Sequence, residues 1–333
     1  MNIMFTHQPL LLIFSFFISV NTVWANEVTE ETFVIQSPCP HAIIPLNPAL
    51  RKSSYPYISG DAFRQICDFI IDETKIPFNP RAVKDGDTIF LNGDHLEYFF
   101  TTIHPKIKVH YILVTHNSDY DIPGKFAPYL ADETLAGWFG QNVVLAHTKM
   151  HPLPIGLANM YWKHGDPDTM TRALNAFGDK RHRRSLLYLN FSITHPNRWH
   201  VYNLFLKKPF CTLYELKNKV EHAGLDPYEH LKHLAHHKFV LSPRGNGLDA
   251  HRTWEALLMG AIPIVERSAS DSMYDDLPVL IVDDWHDVAK NLLYESYEIF
   301  LDKTYNAKKL YVPYWIEKIC ALQATIRKNS VAL

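Results

Sequence analysis

The 333-residue chain has no CxxC pair, no internal repeat, no low-complexity tract and almost no net charge. The missing CxxC argues against thioredoxin-type redox chemistry and against a zinc ribbon. With 33 Lys and Arg against 35 Asp and Glu, no global field recruits nucleic acid or an anionic membrane. A serine-hydrolase elbow, a Walker loop and a GxGxxG fingerprint are also absent, which sets aside the commonest hydrolase, NTPase and dehydrogenase classes. What the chain does have is size and apolar content. Its length exceeds that at which a single core stops growing, and 47% hydrophobic residues can fill two.

Residues 238–265, KFVLSPRGNGLDAHRTWEALLMGAIPIV, carry the most chemistry. An apolar run at Phe239, Val240 and Leu241 leads through a Pro/Gly/Asn loop into a helical pattern, then a second apolar run at 262–265. Strand, loop, helix and strand in that order are the repeating unit of an α/β domain. The loop sets backbone amides before a helix N-terminus, with Arg244 on one side and Arg252 on the other, which suits a phosphate or diphosphate. Asn246 lies in the same loop between Gly245 and Gly247, which are expected to permit close backbone approach and positive φ. Glu255, one turn beyond Arg252, is placed to hold a sugar hydroxyl. Asp249 reads either as the helix N-cap or as a cleft contact, and His251 either as a nucleotide contact or as packing.

The string SPRGNGLDxHRTWEAL followed by GAIPIV resembles the signature of exostosin-type glycosyltransferases. Weaker likeness extends to VTHNSDYDIP at 114–123, HPLPIGLAN at 151–159 and LPVLIVDDW at 277–285. The resemblance implies a GT-B-like α/β fold, two Rossmann-like parallel-sheet domains facing a cleft, with a nucleotide-sugar donor held by the C-terminal one. It implies that Arg244 is a diphosphate ligand, that Glu255 accepts hydrogen bonds from ribose hydroxyls, and that Arg252 assists either. The activity implied is a hexosyl- or related transfer, inverting and metal-independent, from a UDP-linked donor to a glycan or glycoprotein acceptor, with no cofactor.

The pattern along the chain divides it into five parts. Residues 10–20 form an apolar run too short to span a bilayer comfortably, and Val23-Trp24-Ala25 makes a cleavage site before Asn26. Residues 1–25 are therefore expected to be a signal peptide, delivering the rest to a secretory lumen, a periplasm or the exterior. No Lys or Arg precedes the run, so an uncleaved anchor is the alternative, and the one case in which a membrane is a partner. Residues 26–55 read as an extended Pro-rich arm, 56–177 as an acceptor-side domain and 178–300 as the donor domain. Residues 301–333 read as a helical segment returning to the first domain. Four cysteines suit that compartment, and Cys39–Cys67 is the favoured pair because it would staple the arm to the first helix.

Within the first domain a helix is expected at 61–75 and buried strands at 87–92, 109–115 and 143–147. Within the second, strands are expected at 186–191 and 210–214, helices at 197–207 and 227–237, and helix from 296 to 328 broken at Pro313. Parallel sheets bind ligands at the carboxyl ends of their strands, which points to Asn92-Gly93-Asp94 and to the run His116 to Asp119 as cleft residues.

Inversion at an anomeric carbon needs a base for the acceptor hydroxyl and positive charge for the departing diphosphate. Asp119 is the first candidate base, with His116, Asp94 and Glu97 as rivals; Asp119 also reads as a turn cap, and His116 as an orienting group or a satisfied strand-end histidine. Arg198 follows a strand and either reaches the donor phosphates or is a surface charge. DxD patterns at 85/87, 119/121 and 166/168 are thin evidence where about one is expected by chance, so no metal is expected. His230, His233, His236 and His237 on one helix read as a solvated face, the KRHRR run at 180–184 as a solvated charge cluster, and the Asn190 sequon as buried in a strand. A non-catalytic glycan-binding protein on the same scaffold is the principal alternative function, and a phosphate-ester or nucleotide hydrolase a third.

Overall fold

The computed structural model describes residues 51–178, 183–214 and 225–331. The signal-peptide segment, the arm as far as residue 50, Cys39 and residues 180–182 of the basic run lie outside the described residues. Strands that are apolar on both faces need cover on both, and helical crossovers supply it. The first sheet contains β1 (Phe69–Ile71), β2 (Thr88–Asn92), β3 (Tyr111–His116), β4 (Leu135–Gly140) and β5 (Met150–Pro152), all parallel and in sequential order. The second contains β6 (Ser185–Leu189), β7 (Cys211–Leu213), β8 (His237–Leu241), β9 (Ile262–Glu266) and β10 (Leu280–Val282), parallel in the order β10-β9-β8-β6-β7. The α/β architecture expected from the sequence, two parallel sheets, is the one the chain adopts.

Around them run α1 (Gly60–Gln65), the one-turn α2 (Leu96–Tyr98), α3 (Pro167–Phe177), α4 (Pro196–Phe205), α5 (Pro227–His236), α6 (His251–Leu258), α7 (Lys290–Leu301) and α8 (Val312–Val331). Strand residues alternate between cores. Ile89 and Leu91 of β2 pack on one side of the first sheet, and Phe90 on the other. Phe90, Ile112 and Val114 share a single apolar cluster with Tyr188, Val240 and Val265 of the second sheet, so one core joins the two. Helix α8 reaches the first sheet, where Gln323 Nε2 donates to Gly86 O at 2.9 Å and Arg327 pairs with Asp87 at 3.4 Å.

Several local expectations are corrected. The helix expected at 61–75 stops at Gln65, and Phe69-Ile70-Ile71 form β1 against β2 instead. An apolar, partly β-branched run beside an unfilled sheet edge takes the ladder over the helix. Residues 143–147 are not a strand, because β4 has already ended at Gly140 and Asn142 turns the chain at φ 59°. Pro313 does not break a helix. It sits in the first turn of α8, where its missing N–H has no intrahelical partner to lose.

The histidine cluster is packed rather than solvated. His237 is buried, and the rings of His233 and His237 stack on Tyr188 at 5.7 and 4.6 Å. Cys67 is a buried free thiol, so the expected Cys39–Cys67 staple is not made. The Asp166/Asp168 pattern is a helix start: Asp166 accepts from the Asp168 and Thr169 amides at the N-cap of α3.

Candidate functional site

Ligands of open parallel sheets collect where the strand order reverses. The first sheet runs in sequence and has no reversal among the described residues. The second reverses between β6 and β8, which is where its chain-order neighbours part. Three arginines meet at that point. Arg252, at the start of α6, donates from Nε to Asn190 O at the end of β6 (2.8 Å) and lies 5.3 Å over the Phe191 ring. Arg198, in the first turn of α4, donates to Arg244 O (3.2 Å), and to Ser192 O and Thr194 Oγ1 (both 3.1 Å). Arg244 itself donates to Asn246 O at 3.0 Å, with Asp121 no nearer than 3.9 Å.

Almost all of these acceptors are neutral. Arg252 Nη1 and Arg244 Nε are enclosed with no hydrogen-bond partner at all. Burial first, then the charge of Arg252, pull the Arg198 guanidinium down to about 9, with Asp119 opposing. Burial holds Arg252 down to about 10, against the pull of Glu255 and Tyr188. Cations crowded into a partly dehydrated place with N–H groups unpaired are stabilised by an incoming anion. Helix α6 adds its positive end, with no acidic residue in its first turn.

The loop between β8 and α6 separates two openings. On one side a 590 Å³ cleft between the sheets is lined by Asp94, Asn117, Asp119, Gln141, Trp162, Asn246 and His251, among others. On the other a 340 Å³ pocket is lined by Asn197, Ser242, Arg244, Glu266 and Tyr274, among others. The two glycines allow the loop to pass close to its neighbours. A Cβ on Gly247 would lie 2.7 Å from Asn142 Nδ2, and one on Gly245 2.7 Å from Arg198 Nη2. Close approach is thus the reason for glycine here; neither has the positive φ expected of it.

Asp249 is not the N-cap of α6. That position is Ala250, which offers no side-chain bond. Asp249 is buried, and its carboxylate accepts from the Ile155 amide (2.8 Å), Ala250 N (2.8 Å), Trp254 Nε1 (2.6 Å) and Tyr274 OH (3.1 Å). It ties the loop after β5 to the second sheet, leaving little capacity for a ligand. His251 does the same from α6: Nδ1 donates to Gly156 O at 2.8 Å, and the residue also lines the cleft.

Burial raises the Asp249 carboxyl from 3.8 to about 6, despite its hydrogen bonds. The folded state therefore holds this proton more tightly than the unfolded chain. Stability from this group is full below about pH 4 and declines as pH rises through about 6, a loss on the order of 3 kcal/mol. Urea unfolding of Asp249→Asn from pH 4 to 7 should show lower stability throughout, with that decline removed. An unchanged slope would show that Asp249 does not titrate there.

His116 closes β3 with both ring nitrogens occupied: Nε2 donates to Pro154 O at 3.1 Å and Nδ1 accepts from Asn117 N at 2.9 Å. Burial pulls it down to about 4, so it is neutral and fixed at neutral pH, a positioning group and not a base. Asn117, at φ 60°, accepts from Asn159 Nδ2 (2.9 Å) and donates to Asp61 (3.3 Å). Asp119 is exposed at the cleft, 3.3 Å from Asn246 Nδ2 across the gap. Asp94 also lines the cleft and accepts from Ser118 Oγ at 2.9 Å. Glu97 lies outside it, paired with Lys125.

Glu255 is turned away from the main cleft. Its carboxylate meets His230 Nε2 at 3.2 Å beside a 20 Å³ void. Burial would raise it, but the His230 hydrogen bond and the charges of His230, His251 and His164 hold it down to about 2. Asn117 lines the cleft as the strand-end rule expected, whereas Gln141, Asn159 and Trp162 are cleft residues that the sequence did not point to. They come from separate loops, and only Asn117, at a strand end where asparagine tolerates left-handed backbone, carried a local signal.

Two five-stranded parallel sheets with a cleft between them make this a GT-B-like α/β protein. An α1,3-fucosyltransferase crystal structure is similar in overall course, with 12% identity and a TM-score of 0.40, over 74% of this chain and 79% of that one. No protein-family model matches the chain. No curated protein matches it either.

Proposed function

We propose that this chain is a glycosyltransferase that takes a sugar from a nucleotide-sugar, UDP-linked in the first instance, to a glycan or glycoprotein acceptor, with inversion and without a metal. The observation that carries this is the arginine triad at the β6/β8 reversal, short of acceptors, next to a cleft that holds an exposed carboxylate. In this proposal the second sheet belongs to a donor domain and the first to an acceptor domain. Arg198, Arg244 and Arg252 hold the diphosphate, with the Gly245–Asn246–Gly247 loop beneath it. Asp119 takes the proton of the acceptor hydroxyl as its oxygen bonds to the anomeric carbon. The bond from that carbon to the diphosphate oxygen breaks, and its electron pair leaves on the diphosphate, where the arginines spread the charge. The relation to exostosin-type enzymes rests on residues 238–265, with weaker likeness at 114–123, 151–159 and 277–285.

The test is a transfer assay on the purified chain with labelled UDP- and GDP-sugars, with and without a glycan library. Acceptor-dependent labelled product is expected. Free sugar released regardless of acceptor would replace the proposal with a hydrolase, and glycan binding with no turnover would replace it with a lectin.

A further inference from the structure

The cleft and the arginine cluster behind its loop differ in charge. The arginines stand behind the loop and none of the three lines the cleft, and among the described residues its lining contains no Lys or Arg. What it contains is acceptors: the carboxylates of Asp94 and Asp119, and Gln141, whose Oε1 is enclosed with no donor. Arg51 approaches, lying 5.3 Å over the Tyr161 ring, but it is already paired with Asp61 and Glu73. Beside the acceptors is an aromatic shelf. Trp162 is 53% exposed and lines the cleft, with Tyr161 at 5.4 Å between ring centroids. A half-exposed tryptophan on a cleft wall is costly in water and calls for an apolar face to cover it.

We infer, resting on the nucleotide-sugar proposal, that the acceptor is an uncharged glycan seated on Trp162, and that uronate- or sulfate-bearing glycans are excluded. A pyranose presents a C–H face to the indole and hydroxyl donors around its rim, matching the shelf and the unpaired Gln141 oxygen. A carboxylate or sulfate in the same place would face two aspartates, with no Lys or Arg among the described lining residues. Its rejection is the repulsive half of specificity.

The test is calorimetry on the full chain at physiological salt with three sets of probes: neutral tetrasaccharides (glucose-, galactose- and N-acetylglucosamine-based), uronate and sulfated tetrasaccharides, and UDP and GDP. At least one neutral probe should bind, and charged probes should bind about tenfold more weakly or not at all. Trp162→Ala should weaken neutral glycan binding about tenfold, and Trp162→Phe far less. Unchanged nucleotide affinity in both variants confirms that they fold. Charged glycans binding as tightly as neutral ones, or indifference to Trp162→Ala, overturns the inference. Nucleotide binding with no glycan binding also overturns it and leaves the donor site standing. Neutral glycan binding with no nucleotide binding upholds it and removes the transferase proposal.

Discussion

Asp119→Asn is expected to lower turnover by about 10²–10⁴-fold while leaving nucleotide affinity and the thermal midpoint unchanged. The size follows from what a positioned base contributes to proton transfer, and the selectivity from where Asp119 sits. It is exposed at the cleft and makes one long hydrogen bond to Asn246, so the amide can replace the carboxylate without unfolding anything. The rivals are less free. His116 has both nitrogens engaged by backbone groups, Asp94 is tied to Ser118, and Glu97 is out of reach of the cleft. Asp94→Asn should therefore cost much less than Asp119→Asn. A larger loss at Asp94 would transfer the role to it.

Arg252→Ala is expected to weaken nucleotide diphosphate binding about 10–100-fold, the worth of one or two charge-assisted hydrogen bonds. Its Nη1 has no acceptor in the folded chain, so an incoming phosphate gains a bond that displaces no other. Arg252→Lys should recover only part of the loss, because an ammonium cannot bond Asn190 O and a phosphate with the same fork geometry. Competition by inorganic pyrophosphate against a fluorescent nucleotide measures both variants. Equal inhibition constants in wild type and Arg252→Ala would remove Arg252 from the site.

The sequence was most legible where one continuous stretch builds the site proposed above. Arg244, Arg252 and the PRGNG loop were legible because strand, loop and helix follow each other within residues 238–265. Strands β2, β3, β6 and β8 were legible because each is buried over most of its length and has an unbroken run of at least three apolar residues. Strand β4 was missed because LAGWFG breaks that run with glycine; Gly137 leaves room for Leu322 of α8 and Gly140 for Thr115. The cleft wall proposed for the acceptor was barely legible, since Gln141, Asn159 and Trp162 converge only through the fold. Glu255 shows the converse limit. Its spacing from Arg252 was read correctly as helical, but α5 brings His230 against it, and no local pattern encodes that encounter.

The most direct measurement is a thermal-shift titration of the full chain with UDP, GDP, their sugars, and the matching nucleoside monophosphates. A ligand that binds only the folded state raises the midpoint by mass action. A diphosphate should raise it, its monophosphate should do so less, and Arg244→Ala and Arg252→Ala should each shrink the difference. No shift from any nucleotide in a folded wild-type chain would contradict the donor site and leave the cleft as a glycan-binding groove.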